Sequence, residues 1–105
     1  MEEIIAKAVE VEWDTATGYP AGTQWKVLRR GSQGEPRTIL LKLAPGFEMA
    51  PHSHIYAEHH YVLSGEYESH GERFLPGTYR FIPKHMNHGP FRSATGAELL
   101  VLWVD

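Results

Sequence analysis

The chain contains no cysteine, no excess of basic residues and no long apolar segment. Without cysteine it cannot form disulfides, thiolate metal sites or thiol nucleophiles. Its 10 Lys and Arg against 13 Asp and Glu give a net charge of −3, which argues against a nucleic-acid-binding surface. The longest apolar run, residues 99–104, is far shorter than a membrane span. Residues 1–5 are acidic and lack the features of a signal peptide, so we expect a cytoplasmic location.

The length of the chain and the distribution of its turn residues are typical of one small β domain. Its 105 residues suit a single domain over residues 1–105. The 10 glycines and 7 prolines are dispersed and divide the chain into short segments, which is typical of an all-β protein. The predicted strands lie near residues 4–13, 24–30, 37–44, 49–54, 58–64, 66–70, 72–75, 78–82, 86–91 and 97–104.

The last of these segments is apolar at every position from 99 to 104. A strand in a sheet with one solvated face would alternate apolar and polar residues. Both faces of this strand should therefore be covered. The pattern predicts a small antiparallel barrel or jelly roll that associates as a homodimer.

The seven histidines provide the main chemical signal. His52 and His54 are two residues apart, so in a strand their imidazoles point to the same side. Glu58 follows after a short connection and can add a carboxylate, and His88 is the natural candidate for a fourth ligand. Three neutral imidazoles and one carboxylate suit Fe²⁺ or Zn²⁺, and also Mn²⁺, Ni²⁺ or Co²⁺. On a six-coordinate ion, four such ligands leave two positions open.

At this point the sequence resembles the cupin superfamily. The first cupin motif, G-x5-H-x-H-x3,4-E-x6-G, is met in full by Gly46, His52, His54, Glu58 and Gly65. The resemblance implies an antiparallel β-barrel, also described as a double-stranded β-helix or jelly roll. It also implies that His52, His54 and Glu58 hold one divalent metal ion.

The second cupin motif, G-x5-P-x-G-x2-H-x3-N, is met in part. Gly77, Pro83 and His88 match, whereas His85 replaces the inner glycine and Arg92 stands where asparagine is usual. The register from Gly77 through Pro83 makes His88 the metal ligand. His85 lies close enough in sequence to be a competing candidate.

Three stretches show a closer resemblance to the ChrR-type cupins, namely residues 38–46, 75–80 and 88–93. That group includes zinc-binding domains of anti-sigma factors and small oxygenases that cleave carbon–carbon bonds in diketones and acetophenones. The resemblance therefore leaves open whether this chain is an enzyme or a sensor.

The favoured function is a small-molecule dioxygenase with a non-haem Fe²⁺ centre. The alternatives are a zinc-binding sensor or interaction domain without catalysis, and a metal-dependent isomerase or sugar-binding cupin. His60, two residues after Glu58, should face the same pocket, either as a hydrogen-bond partner of the metal ligands or as a packed core histidine. Arg80 is a candidate to face the barrel interior and pair with an anionic substrate, and Trp103 is expected in the core or at an interface.

Overall fold

The computed structural model of the protein describes residues 2–105. Among these residues a short 3-10 turn, Ala8–Glu10, precedes ten strands. The strands are β1 (Asp14–Thr15), β2 (Gln24–Arg30), β3 (Pro36–Leu43), β4 (Phe47–Met49), β5 (Ala57–Gly65), β6 (Tyr67–Ser69), β7 (Glu72–Phe74), β8 (Tyr79–Ile82), β9 (Phe91–Ser93) and β10 (Ala97–Val104). This part of the chain contains no helix long and apolar enough to cross a membrane.

The ten strands form two antiparallel sheets. The larger sheet has the strand order β1-β2-β3-β10-β5-β8, and the smaller one has the order β4-β9-β6-β7. The predicted all-β class is confirmed, and the arrangement is a jelly roll. The sheets are not closed into the barrel that the sequence predicted, because the structure keeps them as two separate hydrogen-bonded ladders.

Strand β10 lies between β3 and β5 and forms the centre of the larger sheet. Its inward residues are fully or almost fully buried, namely Ala97, Leu99, Val101 and Trp103. The alternate residues, including Leu100 and Leu102, are only half-buried on the outer face. Burial of each large aliphatic side chain contributes about 1.5–3 kcal/mol, so this inner row is a substantial part of the core.

The predicted strand over residues 4–13 was wrong. This segment contains only the 3-10 turn and lies against the outer face of the larger sheet. Lys26 Nζ donates a 2.7 Å hydrogen bond to the carbonyl oxygen of Ala8, and the Lys26 and Lys42 ammonium groups sit 4.9 and 5.2 Å from the Trp13 ring centroid. The alternation of Val and Glu that suggested a strand therefore does not lead to strand pairing, and Val9 is 88% exposed.

Two further predicted strands, 49–54 and 86–91, were misplaced, because β4 shares only Met49 with the first and β9 shares only Phe91 with the second. Strand β4 ends at Met49, shortly before Pro51, and β9 begins at Phe91, directly after Pro90. Proline has no backbone N–H to donate to a sheet ladder, which favours strand ends at these points. The non-strand residues 50–54 and 86–90 carry the three histidines of the cluster described below.

Candidate metal centre

A pair of backbone hydrogen bonds joins the two segments that carry the key histidines. The N–H of His52 donates to the carbonyl of His88 at 2.8 Å, and the N–H of His88 donates to the carbonyl of His52 at 2.7 Å. The N–H of His85 donates to the carbonyl of His54 at 2.8 Å, which is a second backbone bond between the same two segments. The predicted strand around His52 is thus reduced to one bridge, but the bridge brings both segments together.

The imidazoles of His52, His54 and His88 converge on one point. Each offers a ring nitrogen, and these atoms lie within 4.8 Å of one another. The ring centroids of His52 and His88 are 4.3 Å apart, and those of His52 and His54 are 4.8 Å apart. Three histidines in this arrangement could hold a metal ion.

His88 is the most buried of the three, with 2% of its surface exposed. Neither of its ring nitrogens has a hydrogen-bond partner among the described residues. Burial is the main cause that lowers the pKa of His88 to about 4, so the ring is neutral at physiological pH. A buried neutral imidazole with unpaired nitrogens costs free energy in a metal-free site. This donor chemistry therefore fits a metal ion.

His52 and His54 are oriented by different partners. The Nδ1 of His52 lies 3.1 Å from the carbonyl oxygen of Ala50, so a proton on Nδ1 leaves Nε2 free as a ligand. The Nε2 of His54 lies 2.8 Å from Oε1 of Glu58. The hydrogen bond to Glu58 is the largest cause that raises the pKa of His54, and burial opposes it.

Glu58 lies beside the three-histidine group rather than within it. Its carboxylate is 2% exposed and receives hydrogen bonds from Trp103 Nε1 to Oε1 at 2.6 Å and from His60 Nε2 to Oε2 at 2.7 Å. Burial alone would raise the pKa of Glu58, but the bonds from His54, His60 and Trp103 outweigh it and hold the pKa well below its usual value. Two adjacent ligand atoms, each about 2.1 Å from an ion, are about 3 Å apart. The 2.8 Å separation of His54 Nε2 and Glu58 Oε1 fits that spacing.

The other histidines lie outside the cluster. His85 is exposed and has a φ of +64°, the left-handed conformation that glycine adopts most readily, so it occupies the inner glycine position of the motif as a turn residue. His70 is exposed in a turn, and His59 faces the outer side of β5, where its Nδ1 is 2.6 Å from the Tyr79 hydroxyl. His60 faces inward and contacts Glu58.

A small cavity adjoins the histidines in the space between the sheets. Its volume is about 30 Å³. One wall is apolar and includes Leu41, Leu43, Phe47 and Leu99. The remainder of the lining includes the polar side chains of His52, Glu58, His60, Tyr67 and His88.

Two participants had weaker sequence signals. Trp103 was assigned to the core or an interface, and its indole reaches Glu58 because the two residues are directly paired across β10 and β5. Arg80 is paired with His60 and also faces inward, where it contacts Tyr67. The period of two along β5, β8 and β10 would have placed all these residues on one face, but the pairing register was not available from the sequence.

The chain resembles a known domain family over nearly its whole length. A family model described as the ChrR cupin-like domain matches residues 1–103. No curated protein sequence matches the chain significantly.

Several solved structures share the fold. A proposed acetylacetone dioxygenase from Methylibium petroleiphilum superposes with a TM-score of 0.83 at 16% identity, over 99% of this chain and 78% of that one. An RmlC-like cupin from Shewanella frigidimarina gives 0.75 at 22% identity, over 97% and 90%. The complex of Rhodobacter sphaeroides SigE with the anti-sigma ChrR gives 0.69 at 24% identity, over 94% and 52%. At these identities the likeness establishes the cupin fold.

Proposed function

The chain belongs to the ChrR cupin-like family, and from this membership we propose that it is a metal-dependent dioxygenase of a small organic substrate. The observation that carries the proposal is the convergence of His52, His54 and His88 beside a largely apolar cavity. We propose Glu58 as the fourth ligand and Fe²⁺ as the ion. We also propose that residues 1–105 form a single domain and that two copies of the chain form a homodimer.

A bound Fe²⁺ ion would supply open coordination positions and the reducing electrons that reaction with O₂ requires. The residues of the chain supply the donor set and its charge. His88 is already neutral, because burial depresses its pKa. Glu58 stays ionised, because its hydrogen bonds lower its pKa. Together these groups would offset one of the two positive charges of the ion.

The cavity suggests what kind of substrate the site could accept. The apolar wall formed by Leu41, Leu43 and Phe47 has no side-chain hydrogen-bonding group, so it suits a short hydrocarbon portion. Polar groups are concentrated on the histidine side, where an oxygen-bearing head group would lie. With only about 30 Å³ of free space, the substrate must be small or must displace side chains. A short β-diketone has this division, and the fold shared with a proposed acetylacetone dioxygenase supports that class.

The apolar wall would also keep water away from the reacting atoms. Leu99 and Leu43 are 2% and 4% exposed, so bulk water does not reach them. In such surroundings the charge of Glu58 acts more strongly on a bound ion than it would in water. The side chains would therefore orient the substrate and protect it from water.

A zinc-binding sensor domain is the second candidate. The fold shared with the anti-sigma ChrR in its complex with SigE favours it. The same three histidines and Glu58 suit Zn²⁺ as well as Fe²⁺. The sensor proposal differs from the first in its native metal and in requiring a protein partner, so metal content separates the two.

The experiment is oxygen uptake by Fe²⁺-loaded protein with β-diketones, hydroxyacetophenones and catechols. We expect uptake with one of these classes, and its loss in a His52→Ala variant. The matched control is His85→Ala, which removes a nearby exposed histidine and should keep activity. Uptake that persists in His52→Ala would come from free iron and would count against the proposal. No protein-dependent uptake, with zinc as the native metal, would favour the sensor.

A further inference from the structure

Three inward-facing side chains form a chain of hydrogen bonds that ends on Glu58. His60 Nε2 lies 2.7 Å from Oε2 of Glu58, and His60 Nδ1 lies 3.0 Å from the Tyr67 hydroxyl. An Nη1 of Arg80 lies 3.3 Å from the same hydroxyl. His60 and Tyr67 are 9% and 3% exposed, so water does not replace these contacts. Apart from the place of His60 and Tyr67 in the cavity lining, the proposed oxygenation gives these three residues no role.

One tautomer of His60 gives every bond of this hydrogen-bonded series a donor and an acceptor. A guanidinium has only N–H groups, so Arg80 must donate to the oxygen of Tyr67. The Tyr67 proton is then free to bond Nδ1 of His60 in the tautomer that carries its ring proton on Nε2. Burial raises the pKa of Tyr67, although Arg80 opposes the rise, so the hydroxyl keeps this proton. Nε2 of His60 carries the remaining ring proton and donates it to Glu58.

Aromatic rings hold Arg80 at the start of the chain. Its guanidinium carbon is 4.5 Å from the ring centroid of Phe74 and 5.7 Å from that of Phe91. Cation–π contacts of this length favour the charge over the ring faces. Among residues 2–105 the guanidinium forms no salt bridge, and its hydrogen bond to Tyr67 links it toward the Glu58 carboxylate. The cation and the anion therefore lie at opposite ends of one hydrogen-bonded chain.

The two oxygens of Glu58 have different surroundings. Oε1 is 2.8 Å from His54 Nε2 and also accepts the Trp103 Nε1–H at 2.6 Å. Oε2 is 2.7 Å from His60 Nε2. Rotation of the carboxylate would break the bonds to both His60 and Trp103.

Building on the metal site proposed above, we propose that Arg80, Tyr67 and His60 are positioning residues. They present Oε1 of Glu58 alone to the ion, and they keep His60 itself from becoming a ligand. The role of His60 is thus to orient a ligand, with its Nε2 proton committed to Oε2. Loss of the Tyr67 hydroxyl would release the His60 ring and allow the carboxylate to turn.

The test is titration of the metal-free protein with Co²⁺, followed by its visible absorption spectrum. Co²⁺ serves as the probe because its band shape and intensity report the number and kind of ligands. In Tyr67→Phe we expect the affinity to fall about tenfold, within the range usual for partners of metal ligands, and the bands to change. Tyr79→Phe is the matched control, because it also removes a hydroxyl bonded to a histidine, but on the outer face. It should match the wild type in both readouts.

A second pair of variants separates orientation from packing. His60→Gln keeps an N–H donor for Glu58 and should retain most of the Co²⁺ affinity, whereas His60→Leu should lose more affinity than Tyr67→Phe. If Tyr67→Phe does not fold, Arg80→Met provides the same test, because Arg80 begins the series of hydrogen bonds that leads to Glu58. If Tyr67→Phe, or Arg80→Met in its place, has the same Co²⁺ spectrum and affinity as Tyr79→Phe, the positioning role is overturned. Failure of the wild type to bind Co²⁺ would overturn the proposed metal site instead, and the positioning role with it.

Discussion

Trp103 and Glu58 face each other across two paired strands, and the indole Nε1–H donates a 2.6 Å hydrogen bond to Oε1 of the carboxylate. Trp103 is 8% exposed and Glu58 is 2% exposed. A buried carboxylate depends on donors from the protein, because water cannot solvate it. The core of the larger sheet and the candidate metal centre are therefore joined at this bond.

We predict that Trp103→Phe destabilises the metal-free protein and weakens metal binding. Phenylalanine keeps much of the packing but removes the donor, and a hydrogen bond to a charged group is worth about 2 kcal/mol. Urea denaturation measures this loss, and a Zn²⁺ titration measures the affinity. Trp25→Phe is the control, because its indole packs against Tyr19 in the same sheet region. Equal metal affinity in the two variants would show that Trp103 acts only through packing.

His88→Ala should lose metal binding, and His85→Gly should keep it. His88 is buried with both ring nitrogens unpaired, whereas His85 is exposed and has a φ of +64°. We expect the affinity for Zn²⁺ to fall by at least about 100-fold in His88→Ala. Glycine fits the left-handed turn at position 85 without steric cost, so the fold should be retained. Loss of metal in His85→Gly together with retention in His88→Ala would mean that the second-motif register is wrong.

Metal affinity should fall as the pH falls below the raised pKa of His54. In the metal-free protein the Glu58 carboxylate favours the protonated form of His54, and an ion must displace that proton to bind. His88, with its pKa of about 4, is already neutral and adds no proton competition near neutral pH. Below the pKa of His54 the affinity should decline about tenfold per pH unit, and above it the affinity should level off.

Calorimetric titrations in buffers of different ionisation enthalpy would count the proton released by each bound ion. His70→Ala, which removes an exposed turn histidine, should show the same pH dependence as the wild type. An affinity that does not change with pH through this range would contradict displacement of a proton from His54.

The sequence predicted the limits of two strands of the larger sheet correctly. Strand β2 matches its predicted limits of 24–30, and β10 (Ala97–Val104) matches 97–104. Both contain β-branched or aromatic residues, Gly31 directly follows β2 and Gly96 directly precedes β10, so local pattern and tertiary structure agree. The segment 4–13 alternates apolar and acidic residues yet joins neither sheet, and it contacts the larger sheet through Ala8 and Trp13.

The candidate site was predictable only in part, for a related reason. A motif places His52 and His54 close in sequence, and their convergence follows from an extended backbone. The contributions of Trp103 and Arg80 depend on which residue faces which across the ladder. Such registers come from the packing of the whole sheet, and a shift of one residue would turn both side chains outward.

A homodimer is expected from the outer face of the larger sheet. Leu100 and Leu102 are half-buried there, and Tyr79 and Phe81 are 56% and 50% exposed on the edge strand β8, which β5 separates from β10. An apolar patch of this kind is typical of an association surface. Light scattering at micromolar concentration should give twice the chain mass of 11.9 kDa.

Phe81→Lys should shift the dimer toward the monomer, because burying a charge in an apolar interface costs free energy. Ile55→Lys is the control, because Ile55 is 68% exposed and lies outside this sheet. A mass of one chain for the wild type would contradict the expected dimer.

The most direct test of the metal site is the metal content of protein purified without chelators or metal-affinity resin. We predict about one divalent ion per chain, with iron as the native metal if the protein is a dioxygenase. A His52→Ala/His88→Ala double variant should contain almost none. Zinc in place of iron would support the sensor function while preserving the site. The proposed metal site would be contradicted if the wild-type protein held no more metal than the double variant and took up no added Fe²⁺ or Zn²⁺.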